Sequence, residues 1–413
     1  MVCSREEEYG NARERLQLNG AVFLQKLNDI QIQNYLIRLN QNKFTQVLQE
    51  NLVLLELLRN PLLLSVAVLS GKKLLTQNWQ QLPTRTEQLN HLLNTYVQQM
   101  WARELRNSSY SRSNSLTTVQ AQQRLVFLAQ KLQQEFKTEF LIEKIQPTSW
   151  LNRKQILIYR VTVGLVIGAI VGLIIWLIYS FKIGLIVGVI VGLIHGVAHA
   201  TDNIEPAEKF QLSWSKEAKE KAVKNLSIGL LFGLSLGVII GLLFGLISGP
   251  RFGLSFGFAF GLVGMTVHGI VGGLIRGFTG AINIKSYPNQ GIWESAKNIV
   301  VVSIVTLPVG LLVYILPFFV RGVQIPLIKV PLGAFAFAFI FGFSSGGVPC
   351  IEHLILRVLL YLNKYIPWNY AGFLDYCTDR LLLQRVGGRY RFIHRLLQEH
   401  FAAMPLEKVK GDR

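Results

Sequence analysis

Apolar and polar positions alternate along this chain in three regimes. Up to residue 158 the apolar residues recur at helical spacing among polar ones. From 159 to 350 they run almost unbroken, and from 351 to 413 they are mixed with polar residues again. In the first regime Ile32, Tyr35, Leu36 and Leu39 predict a helix over Gln31–Leu39. Phe44–Leu58 continues the pattern. Asn60-Pro61 opens the next helix, because proline lacks the N–H that a first turn leaves unpaired anyway. Leu62–Leu69 is a buried apolar run. Thr86–Leu105 and Thr118–Phe136 read as longer amphipathic helices on either side of a polar loop, Asn107–Ser115. In the last regime Phe373–Leu383 reads as a helix, Arg385–Phe392 with Gly387-Gly388 as a tight hairpin, and Ile393–Ala403 as a final helix. Helices with a small β-hairpin suggest a winged helix. Such modules often bind DNA, but the membrane tether expected next argues against that.

In the middle regime six stretches approach the ~20 apolar residues that a spanning helix needs. They are Val161–Phe181, Ile183–Ala200, Leu226–Gly249, Phe252–Gly272, Ile299–Val320 and Val330–Pro349. The first pair is joined by a turn around Lys182 and the second by Pro250-Arg251. In the third pair Pro308, Pro317, Pro326 and Pro331 break the pattern, so that region has a re-entrant alternative. The expected fold class is mainly α: a polytopic α-helical membrane domain of about six spans, flanked by cytosolic helical and winged-helix-like segments. The divisions fall at 1–75, 76–158, 159–350 and 351–413.

Charge then fixes an orientation. Arg153, Lys154, Arg160, Lys209, Lys216, Lys219, Lys221, Lys224, Arg276, Lys285, Lys297, Arg357 and Lys364 fall on one side. Only Lys182, Arg251, Arg321 and Lys329 fall on the other. The rule that cytoplasmic loops carry the cations places both termini in the cytoplasm. The net charge of +18 is therefore assigned to an anionic membrane surface. No nucleic-acid-reading motif accompanies it, so no nucleic-acid partner is expected. Cys3, Cys350 and Cys377 form no CxxC pair and read as free thiols. The polar, charged first forty residues argue against a signal peptide.

Glycine recurs every fourth residue in the apolar block: Gly164, Gly168, Gly172; Gly184, Gly188, Gly192, Gly196; Gly229, Gly233, Gly237, Gly241, Gly245, Gly249; Gly253, Gly257, Gly261. A four-residue step keeps the glycines on one helix face, where two backbones can approach closely. One reading is tight packing inside one bundle. The other is self-association through Gly229, Gly233, Gly237, Gly241 and Gly245 into an oligomeric pore or sensor. A Trp-bearing amphipathic stretch precedes two of the hairpins, at Trp214 and Trp293, and Trp150 offers a third, as interfacial anchors would require. His195 and His199, with Asp202 and Glu205 following, have the spacing of metal ligands, but also that of a helix end meeting water. His268 stands alone among glycines. No stretch carries a central Asp or Glu, which weighs against an ion-driven transporter.

The soluble ends carry a resemblance. Val2-Cys3-Ser4-Arg5 through Tyr9, Gln25–Leu39, Asn60-Pro61-Leu62-Leu63-Leu64, Leu82-Pro83-Thr84-Arg85 through Tyr96, Phe140–Glu143 and Gln146-Pro147 resemble successive elements of NACHT-type STAND ATPases. Tyr390–Arg395 and Gln398–Ala403 are similar to that family's winged-helix signature. The resemblance covers roughly 1–150 and 367–405, with the apolar block between, as in some bacterial membrane-linked members. It implies that Arg5 senses a nucleotide's terminal phosphate, that Pro61 packs on adenine, and that His394 contacts the phosphates and holds the resting state. The structural alternatives are a surface Arg, a helix-start Pro and a core His. The family's phosphate-binding loop, G-x-x-x-x-G-K-[ST], has no counterpart here, since Gly71-Lys72-Lys73 lacks the loop. No acidic pair supplies a metal site either. The chain as written is thus expected to hold no cofactor and to have no catalytic residue. ATP or ADP with Mg would enter only with an upstream NTPase half, as a partner or as missing sequence. The implied function is a membrane-anchored signalling switch in the bacterial inner membrane. The alternatives are a channel or transporter with cytosolic helical domains, or a decayed copy.

Overall fold

The computed structural model describes residues 22, 25–71, 79–82, 84–104, 117–178, 180–199, 204, 216–265, 286–321, 324 and 329–406. The chain divides into two compact units, Met1–Glu104 and Leu105–Arg413. The division falls inside the stretch 76–158 that the sequence suggests as one segment.

The first unit is helical: α1 (Asp29–Arg38), α2 (Asn42–Glu50), α3 (Leu52–Leu58), α4 (Pro61–Ser70) and α5 (Arg85–Ala102). The helix starts are set by side chains that bond the otherwise unpaired first N–H groups. Asn28 and Gln31 form a capping box, as do Thr84 and Glu87. Asn51 accepts from Leu54 N–H, which starts α3 afresh and splits the expected Phe44–Leu58 helix in two. Arg59 ties the turn after α3 to the start of α1 through Asp29 at 2.8 Å and the Leu27 carbonyl, and holds Glu56 of its own helix at 2.8 Å. α3 and α4 are apolar enough together to resemble a span, but they meet at 112° and bury Leu54, Leu57, Leu58, Leu63 and Leu64 inside the unit.

The second unit contains a polar body and an apolar block. The body comes from both sides of the block: α6 (Thr118–Gln134) and α7 (Pro147–Trp150) before it, and α15 (Tyr370–Asp379), β1 (Leu383–Val386), β2 (Arg389–Phe392) and α16 (Arg395–Ala403) after it. β1 and β2 pair antiparallel, with Leu383 opposite Phe392 and Val386 opposite Arg389. The turn uses Gly387 at φ +61°, a left-handed conformation that suits glycine. Phe140, from the first half, bridges to Tyr390 in β2, with N···O distances of 2.7 and 2.9 Å in the two directions. Around this bridge Phe127 stacks on Tyr365 with centroids 4.4 Å apart, and Phe140 packs on Trp150 and Tyr370. Gln130 donates to the carbonyls of Ala402 and Met404, and Gln398 to that of Lys137, which fastens α6 to α16. Among the described residues the β-structure is limited to this hairpin and bridge.

The apolar block comprises α8 (Arg153–Ile178), α9 (Phe181–Ile194) ending in a π-helical turn (His195–His199), α10 (Lys216–Ser248), α11 (Pro250–Met265), α12 (Gln290–Arg321) and α13 (Lys329–Gly342). α13 runs through a second π-helical turn (Phe343–Gly347) into α14 (Val348–Leu362). Among the described residues three helices are long and apolar enough to cross a membrane: Arg153–Ile178, Gln290–Ile315 and Lys329–Leu362. Two shorter apolar helices, Phe181–Val197 and Leu226–Ile239, accompany them. The expected count of six is thus not met in full, and residues 266–272 of the fourth stretch lie outside the described residues.

Other expectations are corrected. The first turn lies at Ser180, whose hydroxyl caps α9 at Ile183 N–H, so Lys182 is already helical. The second is as read, with Gly249 at φ +92° and Pro250 starting α11. α12 continues through Pro308 and Pro317 instead of breaking there, and the last helix does not end at Pro349. Trp150 is no interfacial anchor. It is buried in the body and donates to Glu135 at 3.1 Å.

Candidate functional site

The three residues tied to nucleotide by resemblance have these placements. Arg5 lies outside the described residues. Pro61 sits at the first position of α4 behind the Asn60 cap, whose Oδ1 accepts from Leu62 N–H at 2.9 Å. His394 caps α16, its Nδ1 accepting from Leu396 N–H at 3.0 Å. That bond assigns the ring proton to Nε2, because Nδ1 can accept only when unprotonated. Pro61 belongs to the first compact unit and His394 to the second. Each has a local structural role that accounts for its residue type.

The glycines come together in the most regular construction of the molecule. In the hairpin α8–α9, Gly164 faces Gly192, Gly168 faces Gly188 and Gly172 faces Gly184. A Cβ on Gly168 would stand 2.5 Å from the Gly188 carbonyl oxygen, and one on Gly188 would stand 2.7 Å from that of Gly168. The hairpin α10–α11 repeats the arrangement. Gly233 faces Gly261, Gly237 faces Gly257 and Gly241 faces Gly253, with the Gly257 Cβ position 2.6 Å from the Gly237 oxygen. At Gly164, Gly168, Gly172, Gly184, Gly188, Gly192, Gly233, Gly237, Gly253 and Gly257 a Cβ would come within 3.0 Å of the facing helix, so the seam requires glycine there, while Gly241 and Gly261 are tight at 3.2 and 3.1 Å. Gly245, nearer the turn, meets nothing closer than 3.8 Å, and Gly229 is buried. The glycine faces of each arm are therefore occupied within the chain.

Each glycine is followed by a larger apolar residue that stands beside the seam. The result is one open apolar groove along each hairpin, of about 640 Å³ on α8–α9 and about 700 Å³ on α10–α11. The grooves differ in charge at the end away from the turn. Arg160 lines the first, and its Nε is buried without a hydrogen-bond partner among the described residues. The second has Met265 and Leu230 there and no cation in its lining.

A third feature joins block to body. Glu143 is buried and accepts the Gly291 N–H at 2.7 Å, at the first turn of α12. His353, buried on α14, donates from Nε2 to the Ile142 carbonyl at 3.0 Å. Gln146 clamps both backbone groups of Ile204 at 2.7 and 3.0 Å. Ile204, the start of α12 and α14 are thereby pinned to one short stretch of the body, 142–146. The sequence hints at this only through Glu143 and Gln146, polar residues between apolar ones.

His195 spends Nδ1 on the Val191 carbonyl at 3.1 Å, and no metal-holding group of three occurs among the described residues. Asp202, Glu205, His268 and Trp214 lie outside the described residues. Trp293 is exposed on the first turn of α12. The hairpin arginines are engaged: Arg385 with Asp375, Arg389 with Glu139, Arg391 with Gln384 and Arg395 with Glu399. Comparison of the chain with protein-family models, with curated proteins and with solved structures gives no match.

Proposed function

We propose that this chain is the membrane-inserted part of a signalling switch of the NACHT/STAND type, with a cytosolic body tied to the bilayer by the glycine-seamed block. The observation that carries this reading is the bridge between Phe140 and Tyr390, which closes one body across the whole inserted block. A rearrangement of that body must move the helix ends rooted in it, α8 three residues after Trp150 and α12 and α14 through Glu143 and Ile142. That is the coupling a membrane-tied switch needs: a two-state element with both ends in one frame.

On this reading the body is a winged-helix-like piece interrupted by the block, Phe140 standing in for its first strand. Cations support a cytoplasmic body, with Arg153, Lys154 and Lys297 on its side and Lys182 and Arg251 at the far turns. By resemblance, Arg5, Pro61 and His394 are the nucleotide-linked residues on this reading. The phosphate-binding loop, with ATP or ADP and Mg, belongs to sequence or a partner outside these 413 residues.

Reading the DNA upstream of Met1 tests the nucleotide part. An in-frame G-x-x-x-x-G-K-[ST] and acidic pair are expected, and a stop with no such loop in the neighbouring frame contradicts it. Reporter fusions at residues 225 and 325 test the topology and are expected on opposite sides of the membrane.

A further inference from the structure

The two hairpins share one seam and one groove, so a difference between the grooves has no role in holding the arms together. The difference in charge is Arg160. Arg160 lines the first groove at the end nearer the body, and its Nε is buried and unpaired among the described residues. A buried cationic N–H without an acceptor is costly, and proteins rarely leave one so. The rest of the lining is hydrocarbon: Leu157, Leu165, Ala169 and Leu173 along α8, closed at the far end by Trp176 against Phe181. Arg153 and Lys154, both exposed, precede Arg160 by about two turns.

Dimensions place this cation at a headgroup. Val161 to Ile178 measures about 27 Å at helical rise, close to the ~30 Å thickness of bilayer hydrocarbon. Arg160 then sits at the boundary, its groove running inward. One leaflet, about 15 Å, covers roughly ten residues of helix, from Arg160 to Ala169. The floor over that length is the closed glycine seam at Gly164 and Gly168, and Leu165 and Ala169 on one side with Val189 and Leu193 on the other wall an open channel above it.

We propose that the α8–α9 groove binds one anionic phospholipid of the cytoplasmic leaflet, its acyl chain between Leu165 and Ala169 on one helix and Val189 and Leu193 on the other, and its phosphate accepting from Arg160. Charge complementarity selects the headgroup, since the apolar groove of α10–α11 has the same floor and no cation. The inference rests on the hairpins lying in a bilayer.

The test is native mass spectrometry of the full chain released from detergent, with phosphatidylglycerol and phosphatidylcholine of identical acyl chains. The wild type is expected to retain one phosphatidylglycerol in preference to phosphatidylcholine. Arg160→Gln should weaken that retention by about tenfold, the value of one charge-assisted hydrogen bond. Ala169→Phe fills the groove from an exposed position and should abolish it. Val238→Phe, the matching change in the other groove, should leave it intact. Equal retention of the two lipids, undiminished binding by either hairpin-one variant, or a second copy of the chain occupying the groove overturns the proposal. If Arg160→Gln fails to fold, Ala169→Phe and the lipid comparison still decide. Protein that resists carbonate washing yet shows no lipid preference sinks this proposal alone and leaves membrane insertion standing.

Discussion

In the body built from residues 117–151 and 365–404, elements meet through the largest side chains available: Phe127 on Tyr365, Phe140 on Trp150 and Tyr370. Along the seams of the hairpins α8–α9 and α10–α11 they meet glycine backbone against glycine carbonyl, with Trp176 packing on Phe181 near the first turn. On the proposed membrane reading, the difference follows from the solvent each region faces. In water, burying an aromatic ring removes a large apolar area and drives folding. In lipid an apolar side chain gains nothing by leaving its surroundings, and helices are held by close van der Waals contact. Leu165 and Leu234 accordingly point outward, at 68% and 60% exposure, where a water-soluble helix would bury them.

Substitutions can break that comparison. Phe127→Ala should destabilise the body by about 3–5 kcal/mol, the cost of removing a buried ring, measured by thermal unfolding of the detergent-purified chain. The hairpins demand the reverse experiment, an addition. Gly168→Ala should cost about 1–3 kcal/mol or more, because its Cβ would stand at 2.5 Å from the Gly188 oxygen. Gly245→Ala, with 3.8 Å of clearance, should change stability by less than about 0.5 kcal/mol. A Gly168→Ala chain as stable as its parent would mean that the seam is not the contact holding α8 to α9.

Acidity should separate the two regions more gently. Burial pushes the Glu135 carboxyl up, but hydrogen bonds from Lys137, Ser149 and Trp150 outweigh it and hold it below the usual value of 4.5. Burial holds His400 below its usual 6.5. Both groups bind protons less readily in the folded body than in the unfolded chain. Their stabilisation is therefore present above the unfolded values and lost as pH falls, first below about 6.5 for His400 and then below about 4.5 for Glu135. Unfolding followed by near-ultraviolet signals of the body should shift to lower temperature between pH 7 and pH 4. Glu135→Gln should flatten the lower part of that loss.

Much of this was legible in residue order, and what was not has physical reasons. The four-residue glycine period shows directly that the arms approach closely, and Pro250 shows where the second hairpin turns. Ser180 is a cap signal that the conspicuous charge of Lys182 obscures. Pro308 and Pro317 read as breaks, yet α12 carries them, since a long helix packed on α11 and α13 tolerates a lost backbone bond. The divided body is hidden because its joining bridge is one residue, Phe140, paired across the entire block with a four-residue strand. The nucleotide-linked reading of Pro61 and His394 leans on resemblance, for both residues also serve local caps and starts.

The most direct test joins the body across the block. Glu139 and Arg389 form an exposed ion pair at 2.8 Å from its two halves. In a chain with Cys3, Cys350 and Cys377 replaced, Glu139→Cys and Arg389→Cys are treated with a short bismaleimide in carbonate-washed membranes. The chain is then cut at a protease site placed between residues 205 and 215. The account predicts that both fragments stay in the membrane pellet and run as one species only in the double variant. Fragments that separate despite both cysteines, or protein released by the wash, would contradict a single cytosolic body divided by a membrane-inserted block.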